Sequence, residues 1–410
     1  MANKISIKTG TPVEGNDFYG REKELQYAWD VHILKGTSLL LSAPRRVGKS
    51  SFSKKMLRLA QENGWKTLYL DLQGIGTESE FVKLFKDEIQ KEEWWKKEIS
   101  TENPIIRFLK NKKLQNETGN IILKIFKTIR ELKAQNNTNS TINEIWRNDT
   151  YGRIKQLIEC SGNILIVIDE LTLFLDHLIK QENGKEKVEF FLEWLRKFRQ
   201  ISGTKVRWIL CSSVGIENFA SMHQLSKHLN DVHSFKLEAF TEDEAKEFIS
   251  RLDVDEKVQF TEEHIQYILD KLGWYLPFFI QILVEKINFL VYVEKKQFSN
   301  DTIDEAYNRL LTENRKDFIA WDERLKYYYE FEDDARKILK LCALHTGESR
   351  ENLLANLVAK KSDTDIDKIE TNLSQLLAML KNDGYLAEHN GKYIFRSPLL
   401  RDFWYNRFIL

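Results

Sequence analysis

The chain has little cysteine, proline or methionine: 3, 5 and 4 residues in 410. Its three cysteines, Cys160, Cys211 and Cys342, are too scattered for a disulfide framework or a metal-binding spacing, so a reducing, cytoplasmic setting is expected. Long hydrophobic runs are also lacking. The longest nearly apolar stretch, residues 272–284, falls short of the about 20 residues that span a bilayer, so no membrane partner is expected. The first ten residues, MANKISIKTG, carry no apolar core, so no signal peptide is expected. Net charge is missing as well, with 62 Lys+Arg against 62 Asp+Glu. Taken over the whole chain, that zero argues against a nucleic-acid partner.

Counted by segment, the zero breaks up. Residues 1–230 hold 37 bases and 28 acids, residues 231–334 hold 13 and 25, and residues 335–410 hold 12 and 9. The acidic middle block differs in kind from its flanks, and its edges are candidate domain boundaries. With 42% hydrophobic and 30% charged residues, the chain reads as an ordinary globular protein of more than one domain.

Short apolar runs at 38–42 (SLLLS), 67–72 (TLYLDL), 164–169 (ILIVID) and 206–212 (VRWILCS) read as strands, with a fifth at 234–237. The β-branched run at 164–169 suits a strand buried on both faces of a parallel sheet. Helical patterns separate these runs, which predicts an α/β fold with crossovers. Residues 91–150 are polar and rich in Asn and Lys, and read as a helical insertion; Trp94 and Trp95 within it are expected to pack on the core. From Thr241 the pattern is helical, with capping-box starts at Thr241 and Thr261. From about residue 335 come three helical patterns, at 335–344, 350–359 and 366–382, then strand-like segments at 385–388 and 392–395 around Asn390-Gly391, a hairpin turn signal. Three helices and a hairpin predict a winged helix-turn-helix.

The strongest chemistry lies in Ala43-Pro44-Arg45-Arg46-Val47-Gly48-Lys49-Ser50, which follows a strand and opens a helix as a P-loop does. Backbone N–H groups and a helix N-terminus there surround phosphates with positive potential. Gly48 lets the backbone approach, Lys49 reaches the β- and γ-phosphates, and the Ser50 hydroxyl can ligate Mg2+. Ala43 stands where the GxxxxGK[ST] pattern has its first glycine. The strand at 164–169 ends in Asp169-Glu170, a Walker B pattern. Asp169 is placed to hold Mg2+ through water, and Glu170 to polarise the attacking water as general base. At the end of the fourth strand, Ser212 or Ser213 is the candidate γ-phosphate or water contact, Ser213 being taken with Glu170 and Lys49 as catalytic; a helix cap is the plainer alternative.

With these residues placed, the chain resembles the archaeal-type ATPase family, P-loop proteins between the AAA+ and STAND signalling ATPases. The likeness covers nearly the whole chain outside 91–150. It is carried by FYGRE (18–22), Pro44-Arg45-Arg46, Asp169-Glu170, FTEDEAKEF (240–248), GWYLP (273–277) and FRSPLLR (395–401). The resemblance implies a P-loop NTPase parallel-sheet core over 1–240, a helical lid over 241–334 and a winged helix over 335–410. It places Gly20 and Arg21 along the adenine and Pro277 over the base. Pro44, Arg45, Arg46, Val47, Gly48, Lys49, Ser50 and Ser51 would hold the phosphates. AAA+ enzymes often carry a lid arginine, and Trp274-Tyr275-Leu276 supplies none. Arg196 and Arg199, ahead of the fourth strand, are either arginine fingers or ordinary surface residues.

The expected cofactors are ATP and Mg2+. The expected activity is ATP hydrolysis driving a STAND/AAA+-type switch that regulates or assembles with a separately encoded effector protein, prokaryotic defence being one setting. A homo-oligomer or hetero-complex is expected in the ATP-bound state. The alternative is a DNA-acting AAA+ ATPase, initiator- or transposition-regulator-like, that grips duplex through the winged helix. The helix over 365–382 carries Lys368 and Lys381 beside Asp365, Asp367 and Glu370, a weak basic face for phosphate.

Overall fold

The computed structural model describes residues 4–100, 162–212, 215–313, 315–359 and 365–409. Ser213 and the part of the predicted insertion beyond residue 100 lie outside the described residues. Five strands, β1 (Leu39–Ser42), β2 (Lys66–Asp71), β3 (Ile164–Asp169), β4 (Val206–Cys211) and β5 (His233–Lys236), form one sheet in the order β2-β3-β4-β1-β5. Every pairing is parallel. Parallel neighbours need crossover connections, and helices supply them.

All six residues of β3 are buried. Side chains alternate across a strand, so Leu165 and Val167 enter the core on one face and Ile164, Ile166 and Ile168 that on the other. On the first face they meet Phe52, Met56 and Ala60 of the helix Lys49–Glu62; on the second, Phe174, Leu178, Phe191 and Leu195 of the helices Leu171–Ile179 and Gly184–Arg199. Trp95 is buried in the second core, and Trp94 Nε1 donates to the Thr67 carbonyl at 3.2 Å.

The described residues between 242 and 323 form a series of helices joined by short connections. The helices Glu242–Arg251 and Glu262–Leu272 open with capping boxes at Thr241 and Thr261, the second closed by His264 in place of the usual Glu. Gly273 ends the latter helix with φ of +60°, and Pro277 starts the next, Pro277–Tyr292, at a position where its missing N–H costs nothing. Then follow Asn300–Glu313, Arg315–Glu323 and the 3-10 segment Arg324–Phe331.

The C-terminal part has helices Glu332–Leu344, Arg350–Val358 and Ile366–Asn382, then β7 (Leu386–His389) and β8 (Lys392–Phe395) joined by Asn390-Gly391 at positive φ, as expected. A two-residue strand, β6 (Glu348–Ser349), pairs with β8 and makes the sheet three-stranded; it is too short to carry a periodic signal. The final helix, Pro398–Phe408, buries Phe403 and Trp404.

This part sits against both the helical block and the P-loop. Tyr385 Oη donates to the Trp321 carbonyl at 2.7 Å, and Ser397 Oγ to the Leu272 carbonyl at 3.2 Å. At Gly384 the backbone has φ of +87°, and a Cβ there would lie 2.6 Å from Trp274 and 3.0 Å from Pro44. Only glycine fits both the conformation and the gap. Gly384→Ala is expected to cost about 1–3 kcal/mol, through left-handed strain and the displaced contact. Urea denaturation measures it; an unchanged midpoint would mean this contact is not made in solution.

Candidate functional site

The sheet order puts β4 between β1 and β3, so the loops after β1 and β3 flank the end of β4. The loop after β1 turns at Arg46 and Gly48, with φ of 68° and 101°, and Gly48 caps the helix Lys49–Glu62. Ala43 is not among the positive-φ residues, so the loop turns without a glycine there. Lys49 is buried, and its Nζ donates to the carbonyls of Ala43 and Pro44 at 2.8 and 2.9 Å. Burial, then the neighbouring Arg324 charge, pulls its pKa down to about 8. Arg45 is drawn down to about 10 by burial, then by Arg324 and Arg46.

The two motifs meet at Asp169. Its Oδ2 accepts from Ser50 Oγ at 2.8 Å and from Tyr69 Oη at 2.7 Å. Its Oδ1 accepts from the Glu170 N–H at 2.9 Å and from Cys211 Sγ at 3.3 Å. Glu170 itself is left-handed, with φ of 55°, and caps the helix Leu171–Ile179. Ser212 Oγ donates to Glu170 Oε2 at 3.4 Å and accepts from the Thr172 N–H at 3.3 Å. Ser212, one of the two serines left open by the sequence, thus touches Glu170; the other, Ser213, is outside the described residues.

A cavity of about 460 Å³ opens beside these groups. It is within the usual range for a small-molecule site, about 300–1,000 Å³. Arg45, Arg46, Val47, Gly48, Lys49, Ser50 and Ser51 line it, as do Asp169, Glu170, Arg21 and Pro277. Gly20 and Pro44 do not: Gly20 turns the chain beneath Phe240, and Pro44 faces Gly384. Arg21 is buried and occupied, donating to Glu24 at 2.8 Å and to the Glu238 carbonyl at 2.6 Å. It braces an aromatic wall in which Tyr19 stacks on Phe248, with ring centroids 5.3 Å apart, and meets Phe240 edge-on at 5.7 Å. Arg46 lies over the Phe278 ring at 4.1 Å and pairs with Asp317 at 3.5 Å.

Several lining residues escaped the sequence reading. Residues 8–13 cross the cavity as a strap: the Lys8 N–H donates to Gln281 Oε1 at 2.7 Å and the Val13 N–H to Ser51 Oγ at 3.0 Å. No local pattern marks that segment. Tyr69, Asp71 and Gln73 come from β2 and the loop after it. The β2–β3 register, with Asp71 opposite Asp169, is the signal that locates them. The finger candidates serve elsewhere. Arg199 grips Asp231 at 2.8 and 2.9 Å, and Arg196 donates to the Lys227 carbonyl at 2.9 Å, so both fasten the segment before β5.

No protein-family model and no curated protein matches the sequence. Solved structures do match. The chain is 18% identical to the Walker-type ATPase paby2304 of Pyrococcus abyssi, at a TM-score of 0.57, covering 95% of this chain and 96% of that one. It is 12% identical to the ORC2 protein of Aeropyrum pernix in its ADPNP–ADP complexes, at a TM-score of 0.54, covering 95% and 94%. At such identities the likeness is one of fold. With its five-stranded parallel sheet, the chain has the α/β fold of an archaeal Walker-type P-loop ATPase, as the sequence resemblance implied.

Proposed function

We propose that the chain is an ATP-binding and hydrolysing switch. The observation that carries this reading is the meeting of Ser50 with Asp169, 119 residues apart, with Lys49 and Glu170 on the same cavity. The loop N–H groups and the helix start at Lys49 would hold the phosphates. Lys49, now on its own loop's carbonyls, would turn to the β- and γ-phosphates. Ser50 and Asp169 offer the hard oxygen donors that Mg2+ prefers, directly or through water, and the ion would offset phosphate charge. Glu170, oriented by Ser212, would hold the attacking water and take its proton. The Tyr19–Phe240–Phe248 wall and Pro277 would hold the base, with Arg21 supporting them from behind.

The switch reading rests on where the other parts touch the loop. Asp317, in the proposed lid (241–334), pairs with Arg46. Gly384, in the proposed winged-helix module (335–410), lies against Pro44. A loop that tightens on phosphate therefore disturbs both contacts, and the γ-phosphate biases a two-state element. A separate protein partner, joined in the ATP-bound state, would read that change. DNA is less favoured, because Glu370 and Asp367 stay exposed on the helix Ile366–Asn382.

Two experiments test the site. Lys49→Ala should abolish binding of a fluorescent ATP analogue, while Glu170→Gln should keep it and lose turnover by about 100-fold or more. Full ATPase activity in Glu170→Gln would remove Glu170 as the base. The depressed Lys49 pKa makes a second prediction, with a definite sign. Bound phosphate favours the charged ammonium and raises that pKa again. Near pH 8.5, nucleotide binding should therefore take up protons, and near pH 7, where Lys49 is already charged, this uptake should vanish. Calorimetry in two buffers of different ionisation enthalpy reads the difference; equal uptake at both pH values would place Lys49 away from the phosphates.

A further inference from the structure

The helix Pro277–Tyr292 opens PFFIQILV, and Gln281 is the one polar side chain in that run. Every residue from Phe278 to Val284 is buried, Gln281 among them at 7% exposure. An amide in such a place costs stability unless its oxygen and its N–H groups find partners. Residues three and four apart share a helix face, so Gln281 stands with Pro277 and Phe278, and all three line the cavity.

One end of the amide is fixed. Gln281 Oε1 accepts from the Lys8 N–H of the strap at 2.7 Å. An N–H requires an oxygen opposite it, so the amide cannot be turned over while that bond is kept, and its NH2 group points away from Lys8. Among the described residues the NH2 has no hydrogen-bond partner, and it is not sealed in the core. The little exposure that Gln281 keeps is toward the cavity it lines. Tying the strap uses the oxygen alone and leaves the two N–H donors for a guest. The carboxylate at this end of the cavity is already engaged: Asp17 accepts from the Ser6 N–H at 2.8 Å and pairs with Lys8 Nζ at 2.6 Å. Lys8 therefore holds Gln281 with its backbone and Asp17 with its side chain, beside Tyr19 of the aromatic wall. The strap meets Ser51 at Val13, so Gln281 is at its other end, away from the phosphate loop.

We propose that Gln281 selects the base of a bound nucleotide, its amide N–H donating to ring nitrogen N1 of adenine. This rests on the nucleotide reading of the cavity. At N1 adenine offers a lone pair, whereas guanine carries an N–H. A fixed donor therefore suits the first purine and meets a second donor on the other, which leaves both unpaired. The amide cannot offer its oxygen to guanine instead, because the Lys8 N–H holds that oxygen. The strap thus acts on specificity through Gln281, by keeping the amide in the orientation that reads adenine.

The test titrates Mg–ADP, Mg–GDP and the Mg complex of 1-deaza-ADP, in which N1 is replaced by C–H, into wild type and Gln281→Glu. The glutamate keeps an oxygen for the Lys8 N–H and puts a second oxygen where the NH2 stood. Wild type should favour ADP over GDP by about ten-fold or more, and should lose about five-fold or more on 1-deaza-ADP. Gln281→Glu should move the ADP-to-GDP preference toward GDP by about ten-fold or more. A wild type that holds ADP and GDP alike, unchanged binding of 1-deaza-ADP, or an unchanged preference in Gln281→Glu would each overturn the assignment; the last is what a residue that only ties the strap would give. If Gln281→Glu does not fold, 1-deaza-ADP on wild type decides alone: weakened binding supports the assignment, and unchanged binding overturns it. Wild-type protein that binds none of the three would instead overturn the reading of the cavity itself.

Discussion

The carboxylate of Asp169 is the point on which the site depends. It accepts hydrogen bonds from four directions: Ser50 of the phosphate loop, Tyr69 of β2, Cys211 of β4 and the backbone of Glu170. A buried carboxylate is tolerable only when its oxygens are satisfied in this way. The requirement works in both directions. The sheet must set β2, β3 and β4 side by side in parallel for the donors to converge, and the converged donors then fix the end of β3 against the start of the helix Lys49–Glu62. Removing any one donor would leave Asp169 less restrained, and with it the loop that starts the helix.

Beyond the sheet, the molecule is arranged around the phosphate loop from outside. The strap at residues 8–13 ties to Ser51 and Gln281 across the cavity mouth. Asp317 reaches Arg46 and Gly384 lies on Pro44. Three segments distant in sequence therefore each hold a different residue of the phosphate loop or of the helix it opens. A change in that loop is felt by all three, because a packed contact shifts between discrete arrangements rather than deforming smoothly. On the nucleotide reading, the loop becomes the place where phosphate occupancy is turned into domain position.

Much of the sheet and the heart of the site were legible in the sequence. The run ILIVID had to be a strand buried on both faces, and Asp169 at its end had to face the loop end of the sheet. The loop from Ala43 to Ser50 declared itself by its place between a strand and a helix. Legibility failed where a residue acts through tertiary placement alone. Tyr69 looks like any half-buried strand aromatic until β2 is paired with β3. The strap has no periodicity, because its role is made by two backbone N–H groups. For Arg196 and Arg199 the sequence left two roles open, and the structure shows Asp231 holding both.

The vanishing net charge also takes on a spatial meaning. The acidic block at 231–334 is not a solvated appendage only, since it sends Asp317 to the basic phosphate loop. Part of the opposition between blocks is thus used at their contact. Yet the same block delivers Arg324, a cation, toward a region that already holds Lys49 and Arg45. That region also holds Asp169 and Glu170, so cations and carboxylates are interleaved there rather than separated by block.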